Sequence, residues 1–220
     1  FSNSTFKTFC KTNDQAKDEN DVMKYIVPTI AGPREANYPS TSSIVFGNLE
    51  PLTDGTIAAP RPDIALGAIP QQLHPTVRSE LQHHIIPSTS THRLIAPNFF
   101  MEAKGPDGSA AVILQQACYD GAVGTRAMHS LQNYSREELV YDRQAYTYSS
   151  TYHDGQLKLF AYHATAPAAP GEQLQYYINQ LRTFGITDTR ETFVQGASAY
   201  RNLRDLAMQQ RNTFIEEANA

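Results

Sequence analysis

The chain has 220 residues, of which 40% are hydrophobic and 18% charged, with a formal net charge of −4. This length suffices for one folded domain with a sizeable core, and no apolar run approaches the ~20 residues that a membrane-spanning helix requires. The acidic balance and the absence of a Lys/Arg-rich run argue against strong non-specific binding of nucleic acid, which depends on phosphate neutralisation. A fold can still gather some of the 18 basic residues into a local groove.

The first residues, "FSNSTFKTFCKTND", lack the apolar centre of a signal peptide. We therefore expect a trimmed fragment of a soluble intracellular protein, nuclear or cytoplasmic, with no membrane partner. The two cysteines, Cys10 and Cys118, provide neither a disulfide framework nor a cysteine-based zinc site.

The first half of the chain predicts one helix followed by strands. Apolar spacing predicts a helix from Asp14 to Val27, ended by Pro28 and by Gly32-Pro33. A short strand is predicted at 44–46 and a second strand beginning close to Asp63. Residues 70–92 form an excursion, with a short helix that has Pro75 in its first turn and a loop at 87–92.

The segment "LIAPNFFMEAKG" predicts the most hydrophobic strand, and a Gly-Pro-Asp-Gly turn at 105–108 separates it from a long helix with Ser109 as N-cap. Small residues such as Gly121 and Gly124 allow that helix to lie close to a sheet. Two alternating aromatic-rich runs around Asp154-Gly155 predict a β-hairpin. Its aromatic side chains could stack nucleobases, but cross-strand packing is the favoured interpretation. A linker at 165–171 and helices at 172–184 and 190–218 complete the chain.

This order of elements predicts an α/β protein, with a central mixed sheet flanked by helices and a C-terminal helical extension. We expect residues 1–165 to form one domain that carries an insertion at 70–92. Residues 166–220 are expected to add C-terminal helices packed on the same domain.

Two charged residues interrupt the hydrophobic strand. Glu102 and Lys104 alternate along it and therefore point to the same face. Burying this pair costs several kcal/mol unless a partner compensates, which leaves two interpretations: a salt bridge at a strand end, or a site for a metal ion or phosphate.

Asp63 strengthens the second interpretation, because it begins one strand and Glu102 ends the next. Two carboxylates with one open side suit Mg²⁺ or Mn²⁺, and the carbonyl of Ala103 could add a further oxygen ligand. Lys104 would then orient or help to deprotonate an attacking water and stabilise charge at phosphorus.

The residues "PD" at 62–63 and "EAK" at 102–104 resemble the motif of the PD-(D/E)XK nuclease superfamily. Gln115 and Tyr119 form a Q-x-x-x-Y pair on the following helix, as in the RecB-like exonuclease branch, and Arg126 falls on roughly the same helical stripe. The chain is also similar to a set of fungal proteins assigned a PD-(D/E)XK nuclease-like domain. That similarity covers roughly residues 14–165 and is strongest at 60–130.

The resemblance implies a restriction-endonuclease-like sheet and metal-dependent hydrolysis of phosphodiester bonds in nucleic acid, DNA in preference to RNA. It assigns metal binding to Asp63, Glu102 and Ala103 and substrate binding to Gln115, Tyr119 and Arg126. It also implies one more acidic ligand from the first helix, for which Glu19 is the candidate. Asp63 and Glu102 lie 39 positions apart, and this separation requires the insertion at 70–92. The alternative is a catalytically silent module of the same fold that binds protein or nucleic acid, and an enzyme acting on a small phosphate ester also remains open.

Overall fold

A computed structural model describes residues 1–33, 38–90, 94–169 and 171–220 of the chain. Within these residues, six strands form one sheet in chain order, and only β3 and β4 are parallel neighbours. The strands are β1 Ser40–Thr41, β2 Ile64–Ala68, β3 Ile95–Ala103, β4 Thr147–His153, β5 Gln156–Thr165 and β6 Gln175–Gly185. The helices are α1 Asn3–Gln15, α2 Glu19–Asp21, α3 Val27–Ala31, α4 Pro75–Glu80, α5 Gln82–Ile85, α6 Ala110–Gln132 and α7 Arg190–Asn219. A π-helical turn, Val22–Ile26, joins α2 to α3, and a 3₁₀ turn, Pro70–Gln72, precedes α4.

The two faces of the sheet are covered by different helices. On one face, α1, α3 and α7 pack on alternate residues of β3, β4 and β5, including Phe99, Tyr148 and Leu157. The other face carries α6, which also supplies the crossover that a parallel β3–β4 pair requires. The mixed sheet, its flanking helices and the C-terminal helix confirm the predicted fold class.

Helix α6 lies unusually close to the sheet. Ser109 caps it by accepting a hydrogen bond from the Val112 amide, as predicted. A Cβ atom at Gly121 would overlap the ring of Tyr162 on β5, and one at Gly124 would press on the Phe100 ring on β3. Glycine at these two positions therefore sets the helix–sheet distance.

The β4–β5 hairpin confirms the predicted Asp-Gly turn. Asp154 and Gly155 both have positive φ, 47° and 71°, as the tight two-residue connection requires. The aromatic residues Tyr148, Tyr152, Phe160 and Tyr162 are all buried. Their side chains therefore pack in the interior, in agreement with the favoured interpretation.

The predicted helix at 14–27 is wrong in its limits. Helix α1 ends at Gln15, and the chain is extended at Ala16. Asp18 then caps a new helical segment by accepting from the Asp21 amide at 2.9 Å. Pro28 does not end this segment, because it lies in the first turn of α3, directly after the π-helical turn. Gly32, with a φ of 75°, ends the segment instead.

Two further predictions of local structure are wrong. Residues 44–46 form no strand, because the φ of 52° at Ser43 interrupts the extended backbone after β1. The Ser43 and Phe46 amides still donate to the Pro62 and Pro60 carbonyls. Residues 172–184, predicted as a helix, contain β6, which pairs along its whole length with β5. Tyr177 and Leu181 are consequently exposed on an edge strand, whereas Phe184 is buried.

The excursion at 70–92 contains the predicted helix with Pro75 in its first turn. Part of the predicted loop at 87–92 lies outside the described residues. Among the helices that the structure describes, none combines the length and the apolar character needed to cross a membrane.

Candidate active site

The start of β2 and the end of β3 bring Asp63 and Glu102 together. Asp63 Oδ2 accepts a hydrogen bond from the Ala103 amide at 2.8 Å, and Glu102 Oε1 accepts one from the Asp63 amide at 3.0 Å. These reciprocal bonds continue the antiparallel β2–β3 ladder, in which Ile64 is opposite Met101. The two predicted ligands thus lie side by side, with Glu102 fully buried and Asp63 8% exposed.

Lys104 and Glu19 form an ion pair beside these carboxylates. Lys104 Nζ lies 2.8 Å from Glu19 Oε2, with 13% of the lysine side chain and 44% of the glutamate side chain exposed. Gly105 allows this approach, because a Cβ there would collide with the backbone of Asp18 and Glu19. Glu19, the candidate from the first helical region, is therefore next to the E-x-K strand, and its negative charge acts on Asp63.

Asp120 of α6 is a third buried carboxyl group in the cluster, and the sequence analysis missed it. It is 2% exposed, and its carboxyl group lies within hydrogen-bonding reach of that of Glu102. Glu102 Oε2 and Asp120 Oδ2 are both buried, and neither has a hydrogen-bond partner among the residues that the structure describes. Two carboxyl groups can bond to each other only when one of them carries a proton, so these oxygens require a proton or a cation.

The electrostatics of the cluster favour uptake of positive charge. Burial raises the pKa of Asp63, and the nearby negative charge of Glu19 adds to that rise. Burial followed by the charge of Asp63 raises the pKa of Glu102. Burial followed by the charge of Glu102 raises the pKa of Asp120 well above its ordinary value. Lys104 opposes these rises at Asp63 and Glu102, but its charge is shared with Glu19.

The donor chemistry of this cluster fits a hard divalent cation. The donor atoms are all oxygens, and two of them are buried without a partner in the described part of the chain. In the part of the chain that the structure describes, no group of three or more His, Cys, Asp or Glu side chains is already arranged around a metal position. The Asp63 and Glu102 carboxylates instead accept hydrogen bonds from backbone amides. Ala103, whose carbonyl was the predicted ligand, contributes its N–H group as one of these donors.

Gln115 and Tyr119 do not occupy the face of α6 that reaches Glu102. Gln115 is exposed to solvent, and Tyr119 is half-buried against a separate apolar cluster that includes Phe46 and Phe100. Successive residues of a helix point about 100° apart, and the residue that reaches Glu102 is Asp120.

Arg126 is engaged in structural contacts. It lies six residues beyond Asp120, or about 9 Å further along the helix axis. Its guanidinium donates to the Glu50 carbonyl at 2.6 Å and to the Pro51 carbonyl at 3.5 Å, and burial lowers its pKa. These bonds hold the loop that precedes β2 against α6, away from the carboxylates.

Fold and site together define an α/β protein with a buried cluster of carboxyl groups where β2 begins and β3 ends. An ion pair between a lysine and a glutamate lies beside this cluster. The chain belongs to a family described as a domain of unknown function (DUF7924), whose model matches residues 5–219. The match includes every residue of the candidate site. No curated protein matches the chain, and no solved structure matches it.

Proposed function

We propose that this protein is a metal-dependent nuclease that hydrolyses phosphodiester bonds. The observation that carries the proposal is the meeting of Asp63, Glu102 and Lys104 at adjacent ends of β2 and β3. The two carboxylates come from positions 39 residues apart and are buried, and the ammonium beside them, that of Lys104, shares its charge with Glu19. Burying such charges costs several kcal/mol, and a divalent cation would repay it.

In this proposal Asp63 and Glu102 hold Mg²⁺ or Mn²⁺, with Asp120 as a further carboxyl group beside Glu102. The cation would polarise the phosphoryl oxygen and lower the pKa of a bound water. Lys104 orients that water and places positive charge near the phosphorus. Glu19 holds the Lys104 ammonium in position through their 2.8 Å contact.

Cleavage of labelled oligonucleotides tests the proposal. Single-stranded and double-stranded DNA and RNA are incubated with the protein in Mg²⁺ or Mn²⁺, with a chelator as the metal-free control. We expect cleavage, with DNA as the better substrate, that requires the metal. Asp63→Asn, Glu102→Gln and Lys104→Ala should each reduce the rate by about 10²–10³, the usual cost of removing one group that stabilises the transition state.

A matched control is Lys7→Gln, an exposed lysine of α1 on the opposite face of the sheet. It should cleave like the parent protein. Cleavage by the parent that is indifferent to Asp63→Asn and Lys104→Ala would assign the activity to another site or a contaminant. A folded parent protein that cleaves none of the substrates would support the alternative of a silent module that binds protein or nucleic acid.

A further inference from the structure

A row of residues leads across the sheet from Glu102 to a lysine on β5. In the sheet register Glu102 is opposite Thr151 on β4, and Thr151 is opposite Lys158 on β5. Directly opposed residues point to the same face, and neighbouring strands lie 4.7–4.9 Å apart, so the Lys158 Cα is about 10 Å from that of Glu102. Tyr162, four residues after Lys158, contacts α6, which places Lys158 on the α6 face too.

Lys158 lines a cavity of about 170 Å³ beside the first turn of α6. A single water needs about 10–15 Å³ on the same measure, so the cavity has room for a group much larger than one water. Thr151, His153, Gln156 and Gln180 supply polar walls, and Ile113 of α6 is among the apolar ones. The cavity opens on the same sheet face as Glu102.

Two polar side-chain groups of this cavity, those of His153 and Lys158, have unused hydrogen-bonding capacity within the described residues. His153 Nε2 is buried and has no hydrogen-bond partner among the described residues. The Lys158 ammonium makes no ion pair or hydrogen bond with any residue that the structure describes. The single acidic lining residue, Asp154, is exposed in the hairpin turn. Lys104, by comparison, shares its charge with Glu19.

We propose that Lys158 binds a second phosphate of the nucleic-acid strand, next to the phosphate held at the carboxylates. The inference rests on the nuclease function proposed above and adds the substrate class, a strand with at least two successive phosphates. Lys158 supplies the charge: its Cα lies about 10 Å from that of Glu102, two strand spacings across the sheet, and its ammonium is unpaired among the described residues. Thr151 lies between Glu102 and Lys158 in the sheet register, and His153 lines the cavity beside Lys158. A small phosphate monoester or diester reaches only the carboxylates.

Binding measurements test this subsite separately from catalysis. The anisotropy of a labelled single-stranded oligonucleotide is followed with and without Ca²⁺, over a series of salt concentrations, for the parent, Lys158→Gln and the control Lys7→Gln. Loss of one phosphate contact lowers the slope of log affinity against log salt by about 0.7 for a single strand. Extrapolated from 1 M, that slope corresponds to about eightfold weaker binding at ~0.05 M salt. Thermal unfolding confirms that each variant is folded.

We expect the weaker binding and the lower slope for Lys158→Gln alone. With the small diester bis(p-nitrophenyl) phosphate, Lys158→Gln should hydrolyse like the parent protein, whereas its KM for the oligonucleotide rises. Equal affinity and slope in the two lysine variants would overturn the subsite, and so would the absence of oligonucleotide binding by the parent. If Lys158→Gln weakens binding but the parent cleaves nothing, the subsite stands and the nuclease function fails.

Discussion

Replacing Glu102 by glutamine should stabilise the metal-free protein at neutral and alkaline pH. Glutamine keeps an oxygen that accepts the Asp63 amide, and its NH₂ group can donate to Asp120. The substitution therefore removes a buried negative charge while it conserves shape and hydrogen bonding. If Glu102 holds a cation as proposed, its carboxylate is expected to destabilise the metal-free fold.

The magnitude follows from the pKa of Glu102, which burial and the charge of Asp63 raise from 4.5 to about 7. A carboxyl group whose pKa is raised in the folded state contributes its full stability below pH 4.5 and loses it as the pH rises through about 7. The gap corresponds to roughly 3 kcal/mol of unfolding free energy at 1.36 kcal/mol per pH unit. For a chain of this size, 1 kcal/mol moves Tm by about 2–4 °C.

Thermal unfolding of the parent and of Glu102→Gln between pH 4.5 and 8, in a chelator, measures the effect. The parent should lose stability across this window relative to the variant, so that at pH 8 the variant has a Tm higher by about 6–12 °C. Without the chelator, Mg²⁺ should raise the Tm of the parent at pH 8 by more than that of Glu102→Gln, because the variant keeps only the carboxylates of Asp63 and Asp120. Parallel pH profiles for the two proteins would refute the reasoning.

Three other predictions concern stability. Lys104→Ala should lower the free energy of unfolding by no more than about 1 kcal/mol, because its partner Glu19 is half-exposed. Chemical denaturation measures this change, and an unfolded variant would show that the ion pair is needed for the fold. Gly121→Ala should lower the free energy of unfolding by about 2 kcal/mol or more, because the added methyl group pushes α6 away from the sheet. An unchanged denaturation midpoint would contradict the close packing. Asn98→Ala should lower the free energy of unfolding by about 3 kcal/mol, because it removes the Asn98 Oδ1 that accepts from the buried Arg211 guanidinium at 2.6 Å. A Tm within 2 °C of that of the parent would contradict this.

Elements with a strong local signal could be predicted from the sequence. The Asp154-Gly155 turn needs two residues with positive φ, which Asp and Gly tolerate, and Ser109 is a favourable N-cap. The buried run that ends in Glu102 is too apolar to be anything but a core element. The meeting of Asp63 and Glu102 followed from their positions at the start of one strand and the end of another.

Strand β6 could not be predicted, because its residues carry no dominant local preference. Leu174, Tyr177, Leu181 and Phe184 have helical spacing, yet the free edge of β5 offers backbone partners over ten residue pairs. Pairing with β5 therefore determines the structure of this segment. As an edge strand, β6 needs a hydrogen-bonded neighbour on one side only.

Asp120 was missed although the sequence contains a signal for it. The small residues Ala117, Gly121 and Gly124 identify the side of α6 that lies on the sheet, and Asp120 stands three residues after the first and four before the last. It therefore shares their face. The Q-x-x-x-Y spacing instead drew attention to Tyr119, one position away, whose side chain points about 100° round the helix.

The reciprocal hydrogen bonds between the strand ends make two backbone amides into reporters of what the cluster binds. The amide of Asp63 is held by Glu102 Oε1, and that of Ala103 is held by Asp63 Oδ2. A carboxylate that rotates to coordinate a cation must release its amide, and that amide then exchanges its hydrogen faster and changes its NMR chemical shift. The NMR signals of these two amides can therefore report the binding of a proton or a metal to the cluster, without any substrate.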